Sequence, residues 1–382
     1  MYIKKLNLTS FRGASSVNLE FHKQLNVFVG MNGSGKSTIL DAVAIMLSWA
    51  VNRIKHSGAS GRPIKPEDIK NGQSTSSLKL HCQYDDQMTT WKLAKVRAGY
   101  RNKDERSVLQ GVSELSRLLQ EQITLHSGNV DLPILAYYPV NRTVLDIPLR
   151  IKGKHSFDLL SAYDESLTSG ANFRTFFEWF REREDLENEN RKYVNALIKP
   201  DGFQFPDPQL EAVRSALGQF MPEFKNLTVR RNPLRMEIEK NGQQLTVSQL
   251  SDGEKCLMAL VGDLARRIAN ANPMSNKPLA GEGVVLIDEI DLHLHPKWQR
   301  LVVPKLIEVF PNCQFLISTH SPHIVTHVQP ENLFLLNMTD SGLTAIAPSE
   351  SYGKTVGRVL EDLMGLKTTR PDDVTNALRQ IY

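Results

Sequence analysis

Cysteine is scarce in this sequence: Cys82, Cys256 and Cys313 are the only three among 382 residues. They are odd in number and far apart, with no zinc-type spacing around them. That excludes a disulfide scaffold and a zinc ribbon, and it suits a reducing cytoplasm. Long hydrophobic runs are also missing. The longest, from Ala42 to Val51, is broken by Ser48 and falls well short of the ~20 residues that a membrane-spanning helix needs. The opening stretch Met1-Tyr2-Ile3-Lys4-Lys5-Leu6 alternates and has no signal-peptide core. Any membrane part would have to come from another chain. A strong excess of one charge is lacking as well. The net charge is +4, too small at this length to argue for nucleic acid by itself. No heptad pattern persists, no fixed-period repeat occurs, and no tract is of low complexity, which excludes a coiled-coil arm and a solenoid. What remains, at 41% hydrophobic and 23% charged residues, is a globular composition with room for two or three domains.

Against that background one stretch stands out. Gly30-Met31-Asn32-Gly33-Ser34-Gly35-Lys36-Ser37 fits G-x-x-x-x-G-K-[ST] at every fixed position. Leu25–Val29 reads as a short buried strand before it, and Thr38–Met46 as the helix after it. Glycines let the backbone wrap tightly and point its N–H groups inward, and a helix N-terminus adds partial positive charge. Lys36 then reaches the β- and γ-phosphates, and Ser37 offers its hydroxyl to Mg²⁺. Asn32, Gly33, Ser34, Gly35 and Thr38 complete the cradle. This pattern predicts a nucleotide site, with ATP and Mg²⁺ as the expected ligands.

Taken in order, 2–9, 16–21 and 24–29 alternate as strands separated by short turns. Arg53, Lys55, Arg62 and Lys65 lie in and around a flexible loop, as either a phosphate-backbone contact or a solvated surface. Segments 78–84 and 89–96 read as a hairpin turning at Asp85-Asp86-Gln87, and 107–125 has helical spacing. Leu135–Arg142 begins as a strand. Phe173, Phe176, Phe177 and Phe180 fall on a single helix face, which either docks on the core or meets a partner. A further amphipathic helix covers 206–220. Strands follow at 227–238 and 243–247, turning at Asn241-Gly242, a strong hairpin signal.

The nucleotide machinery resumes near the carboxyl end. Leu250-Ser251-Asp252-Gly253-Glu254-Lys255 precedes a helix over 256–269. Val284-Val285-Leu286-Ile287 is a continuous apolar run ending in Asp288-Glu289. It suits a strand buried on both faces of a parallel sheet, with its acids emerging where ligands bind. Asp288 is placed to hold the Mg²⁺ shell and Glu289 to orient or deprotonate the attacking water. Gln314–Thr319 is another strand, with His320 at its end to sense the γ-phosphate. His293, His295, His323 and His327 lie close to it in sequence, but no carboxylate–histidine pair has a familiar helix spacing, so no dedicated zinc site is expected.

In that order these motifs resemble the ABC-type ATPase set: phosphate loop, signature (Leu250–Glu254), magnesium and water-activating acids, a D-loop at Asp291, and the switch histidine His320. Phe11-Arg12-Gly13 resembles the nucleotide-contacting arginine element of the branch that holds SMC proteins and RecF. Asp252 stands where transporter cassettes have glycine, and the Pro- and Gly-bearing connection 271–283 is long. Both departures favour the RecF-like branch. The resemblance implies an α/β ABC-type P-loop head, a mixed sheet flanked by helices with an N-terminal antiparallel β lobe, together with a helical insertion. Residues 1–100 would form the N-terminal part of the head, 101–224 the mostly helical insertion and 225–382 the C-terminal part. It further implies that Ser251 and Gly253 of one subunit close on the γ-phosphate held by Lys36 of another, in a head-to-tail dimer. The glutamine of the Q-loop has no clear counterpart, although Asn141 and Arg142 lie where a strand could deliver one.

The middle segments 136–142 and 172–180, with Asn232-Pro233-Leu234-Arg235 and Ile290–Pro296, are similar to the PtuA ATPases of Septu antiphage systems, also found with some retrons. That similarity implies a separate HNH endonuclease, PtuB, as effector, with nucleic acid reached through the complex. A RecF-like ATPase acting on DNA in recombination or repair is the alternative reading. A fused nuclease is disfavoured, because only about 60 residues follow His320, too few for a further metal domain of usual size. Residues 372–382 read as the opening of a helix that stops early, which leaves room for a further tail.

Overall fold

The computed structural model describes residues 1–100, 105–140, 157–168, 173–200, 203–340 and 342–366. Asn141, Arg142, Asn172 and the expected helix opening at 372–382 lie outside them. In chain order the elements are β1 (Tyr2–Phe11), β2 (Ala14–Glu20), β3 (Leu25–Val29), α1 (Lys36–Lys55), β4 (Thr75–Tyr84), β5 (Gln87–Val96), α2 (Gln110–Leu125) and β6 (Ile134–Tyr138). There follow α3 (Phe173–Arg191), α4 (Pro208–Phe220), β7 (Phe224–Arg231), β8 (Leu234–Lys240), β9 (Gln243–Thr246) and α5 (Asp252–Ala271). The last group is β10 (Gly283–Ile287), α6 (Pro296–Val309), β11 (Cys313–Thr319), α7 (Pro322–Val325), β12 (Leu333–Thr339), β13 (Gly342–Ile346) and α8 (Val356–Asp362).

The central sheet runs β13-β12-β3-β11-β10-β6. Its strands pair in parallel except for β13, which is antiparallel to β12. β3, β10 and β6 are buried at every residue, as expected of strands covered on both faces. Period-two alternation then divides them between two cores. Val27, Val29, Ala136, Tyr138, Val285 and Ile287 face a layer holding α3, α4 and α5. Phe28, Leu135, Tyr137, Val284 and Leu286 face α1 and, beyond it, the antiparallel sheet β2-β1-β4-β5. A small sheet, β7-β8-β9, completes the first layer, its strands 8 and 9 turning at Asn241-Gly242, both with positive φ.

α1 is, among the described residues, the one helix long and apolar enough to cross a membrane by length and composition. It is longer than the apolar run suggested, yet it lies between the two sheets with most of its residues buried. It is a core helix. The phenylalanine face proves equally internal: Phe173, Phe176, Phe177 and Phe180 are all buried, together with Trp179, against α5. A β-carbon on Gly262 of α5 would come within 2.9 Å of the Phe176 ring, so glycine there is what lets the two helices close up. The stretch 101–224 holds the helices α2, α3 and α4. It contributes β6, the outermost strand of the central sheet, and α2, which packs on α1. The exposed edge of β6 is blunted by the Tyr137 N–H donating to the Ser166 carbonyl at 2.6 Å, as edge strands require.

Because the Phe176 ring is fully enclosed, Phe176→Ala is expected to cost about 3–5 kcal/mol of folding stability. Equilibrium denaturation checks this, and a loss under about 1 kcal/mol would remove the aromatic row from the core account.

Candidate nucleotide site

The loop 30–37 is built as its glycines require. Gly33 and Gly35 have φ of +79° and +94°, conformations that side chains rarely adopt. At Gly30 an added β-carbon would lie 2.4 Å from the Leu336 carbonyl oxygen. Gly35 precedes α1 without any side-chain cap, so the first N–H groups of the helix point out uncapped. Lys36 Nζ donates to the carbonyls of Gly30 at 3.0 Å and Met31 at 3.1 Å, curling back over its own loop. Ser34 Oγ is buried with no hydrogen-bond partner, a polar atom without its acceptor or donor. A cradle of open amides, one ammonium and one orphaned hydroxyl fits a phosphate chain. Asn32, Ser37 and Thr38 line its rim, exposed or half-buried.

The acids come in from β10. The Asp288 N–H donates to the Tyr138 carbonyl at 2.8 Å, and the Glu289 N–H to Ser318 Oγ at 2.8 Å. The Ser318 hydroxyl in turn donates to Asp288 Oδ1. Glu289 has a φ of +45°, a costly conformation for a residue with a side chain. His320 Nε2 lies 3.6 Å from Glu289 Oε1. Asp291 Oδ1 accepts from Thr319 Oγ1 at 2.5 Å and from the His320 N–H at 3.2 Å. Desolvation lowers the Lys36 pKa, while Glu289, Asp288 and Asp291 pull it back up. Those three acids therefore lie close enough for their charge to act on the lysine. Asp288, Glu289, Asp291 and His320 thus meet at one end of the sheet, with Lys36 within reach of the acids' charge.

The signature residues do not join them. Ser251 caps α5, with its Oγ accepting from the Glu254 N–H at 3.4 Å and Glu254 Oε2 accepting from the Ser251 N–H at 2.8 Å. This is a capping box. Ser251 and Asp252 are exposed. A β-carbon on Gly253 would fall 2.4 Å from the His293 carbonyl oxygen, so the signature turn rests on the segment after Asp291. Among the described residues, neither Ser251 nor Gly253 makes a hydrogen bond or ion pair with 30–37.

Arg12 sits beside α1 rather than on the loop itself. Its Nε donates to Asp68 Oδ1 at 2.8 Å and its Nη2 pairs with Asp41, one turn beyond Ser37. Burial lowers the guanidinium pKa, but the carboxylates of Asp68 and Asp41 outweigh it and hold it above the ordinary value. Arg62 Nη2 reaches the other Asp41 oxygen at 2.6 Å. The remaining basic residues near this loop are engaged too: Arg53 donates to the Ala59 carbonyl and Lys55 pairs with Asp164. Asp41 and Ser318 join these contacts although motif reasoning misses them, whereas Arg62 stands out there only as one of the loop cations. Only the adjacency of Ser318 to Thr319-His320 gave any hint.

The comparisons with known proteins agree with this geometry. Residues 25–326 match the family described as "AAA domain, putative AbiEii toxin, Type IV TA system". The chain belongs to that family and is an ABC-type ATPase. It is 32% identical to the "Retron Ec83 probable ATPase" of Escherichia coli, over 100% of this chain and 79% of that protein. It is 31% identical to the "Retron Vc95 probable ATPase" of Vibrio cholerae, over 94% and 78%. The Septu protein PtuA of Bacillus thuringiensis is 24% identical over 97% and 86%. Among solved structures, an SMC head bound to the C-winged helix domain of ScpA superposes with a TM-score of 0.54 at 16% identity. That match covers 91% of this chain and 98% of the other, and it shows that this ATPase has the fold of an SMC head.

Lys36→Ala is expected to lower ATP affinity by about tenfold or more, since a charge-assisted bond to phosphate is lost. Titration with a fluorescent ATP analogue reads it, and full affinity in the variant would remove the lysine from its place.

Proposed function

We propose that this ATPase closes head-to-tail with a second copy over two ATP molecules, and that the closed pair scaffolds or regulates a separate HNH endonuclease in a bacterial antiphage system. One observation carries the dimer: Ser251 is exposed in a self-contained capping box, and among the described residues neither it nor Gly253 hydrogen-bonds to its own phosphate loop. Each copy then holds half of a pocket. A γ-phosphate gripped from both sides binds the closed state better than the open one, and only such differential affinity shifts a population.

Within the pocket, Lys36 and the N–H groups at the start of α1 hold the phosphates, and Ser34 supplies a further hydroxyl. Ser37 and Asp288 would hold Mg²⁺, which neutralises phosphate charge. Glu289 orients or deprotonates the water, and His320, 3.6 Å from it, keeps that carboxylate aimed. Catalysis of this kind rests on positioning and charge stabilisation. The defence role rests on the names of the relatives, retron ATPases and a Septu PtuA, together with the similarity of the middle segments.

Glu289→Gln should cut turnover by about a hundredfold or more while keeping ATP binding. Light scattering should then show an ATP-dependent dimer, and turnover at the wild-type rate would remove Glu289 from the reaction. Purification of the tagged full chain together with its neighbouring reading frames should retain a small HNH protein. Recovery of repair or replication proteins instead would favour a RecF-like role.

A further inference from the structure

Three of the most heavily buried charges among the described residues lie away from the phosphate loop. Asp263, Arg266 and Arg267, all on α5, are at most 2% exposed. Asp263 Oδ1 accepts from Arg266 Nη2 at 2.7 Å, and Oδ2 accepts from Arg267 Nε at 2.8 Å and from the Tyr138 hydroxyl at 3.0 Å. Arg267 Nη1 donates to the carbonyls of Ala162 and Asp164, each at 2.8 Å. Removing three charges from water is expensive, and apolar side chains of similar volume often hold a core as well or better. An apolar group, however, cannot fix a hydroxyl.

The hydroxyl it fixes belongs to the last residue of β6. The Tyr138 carbonyl accepts from the N–H of Asp288, so one residue touches both the acid of β10 and the helix that begins at the signature. Burial, with the charge of Asp263 adding to it, drives the phenol pKa well up and keeps it a donor. α5 runs unbroken from Asp252 to Ala271. At 1.5 Å per residue, Asp263 lies about 18 Å along the same rod from the Ser251 cap. A rigid helix cannot move its N-terminus without carrying Asp263 with it.

We propose that Tyr138 and Asp263 are positioning residues that tie the seating of the signature turn on a second copy to the placement of Asp288. When Ser251 engages the partner, α5 reorients, Asp263 carries the Tyr138 hydroxyl, and the carbonyl that anchors the Asp288 N–H moves with it. Arg266 and Arg267 hold the carboxylate from both oxygens, so motion of the helix is passed on rather than absorbed by rotation of the side chain. Hydrolysis is thereby withheld until the pair has closed. The inference rests on the signature acting in trans.

The test uses the full chain with Mg²⁺ and ATP, and compares wild type, Tyr138→Phe, Ser251→Ala and the double variant. Tyr138→Phe should lower kcat by about fivefold or more with KM changed less than about twofold, and the double variant should be no slower than Ser251→Ala alone. If Ser251→Ala leaves kcat unchanged, the trans reading itself is lost. If Ser251→Ala slows turnover but the two effects multiply, the trans reading stands and the linkage is overturned. Unchanged kcat in Tyr138→Phe overturns it as well. Should that variant not fold, hydrogen exchange in Glu289→Gln decides. ATP should protect the amides of 252–263 and 283–288 together, and adding Ser251→Ala should abolish both. Protection of 283–288 that survives Ser251→Ala would refute the linkage.

Discussion

The hydroxyl of Ser318 is the joint on which the catalytic end of this ATPase depends. It donates to Asp288 and accepts from the Glu289 amide, so one atom fixes the carboxylate of Asp288 and the backbone of Glu289. The bond is available only because β10 and β11 run parallel in register, with Ile287 opposite Ile317. Both strands then end at the same level, beside the exit of β3 into the phosphate loop. An antiparallel arrangement would send one of those ends to the far side of the sheet. The burial of β3, β10 and β11 on both faces is therefore what brings a lysine, two acids and a histidine from distant parts of the chain to one edge.

The stretches with strong local chemistry were the legible ones. The phosphate loop, the apolar run before Asp288-Glu289, the hairpins at 85–87 and 241–242, and the phenylalanine face all carry their own physical signal. They reappear with boundaries shifted by a few residues, as helix and strand ends usually are. The helix after the loop starts at Lys36 itself, directly after the left-handed Gly35 that closes the loop. What stayed hidden depends on contacts between remote segments. α6 contains Pro304, a residue that ordinarily argues against a helix interior. β6 reads as a strand on its own, but its place at the edge of the central sheet appears only in its pairing with β10. Nothing near Asp41 in sequence announces that Arg12 and Arg62 will both seize it.

The two layers flanking the sheet are chemically unlike. The layer around α1 keeps charges at one edge, where Arg12 and Arg62 meet Asp41, and otherwise buries scattered serines such as Ser48 and Ser116 among its apolar side chains. The layer around α5 carries a network of Asp263, Arg266, Arg267 and Tyr138, and beside it a separate chain from Trp179 through Asn270 to Ser161. Such networks are unforgiving in geometry and favour a few discrete arrangements over continuous adjustment. A rigid cradle on one side and a polar hinge-plate on the other is a sensible division for a protein that must both hold a nucleotide and respond to it.

Lys36 lends the loop one more property. By donating to the carbonyls of Gly30 and Met31, the ammonium ties the first turn of the loop back to the start of α1. The side chain is therefore a strut as well as a charge. Any substitution at this position alters the shape of the loop along with its electrostatics.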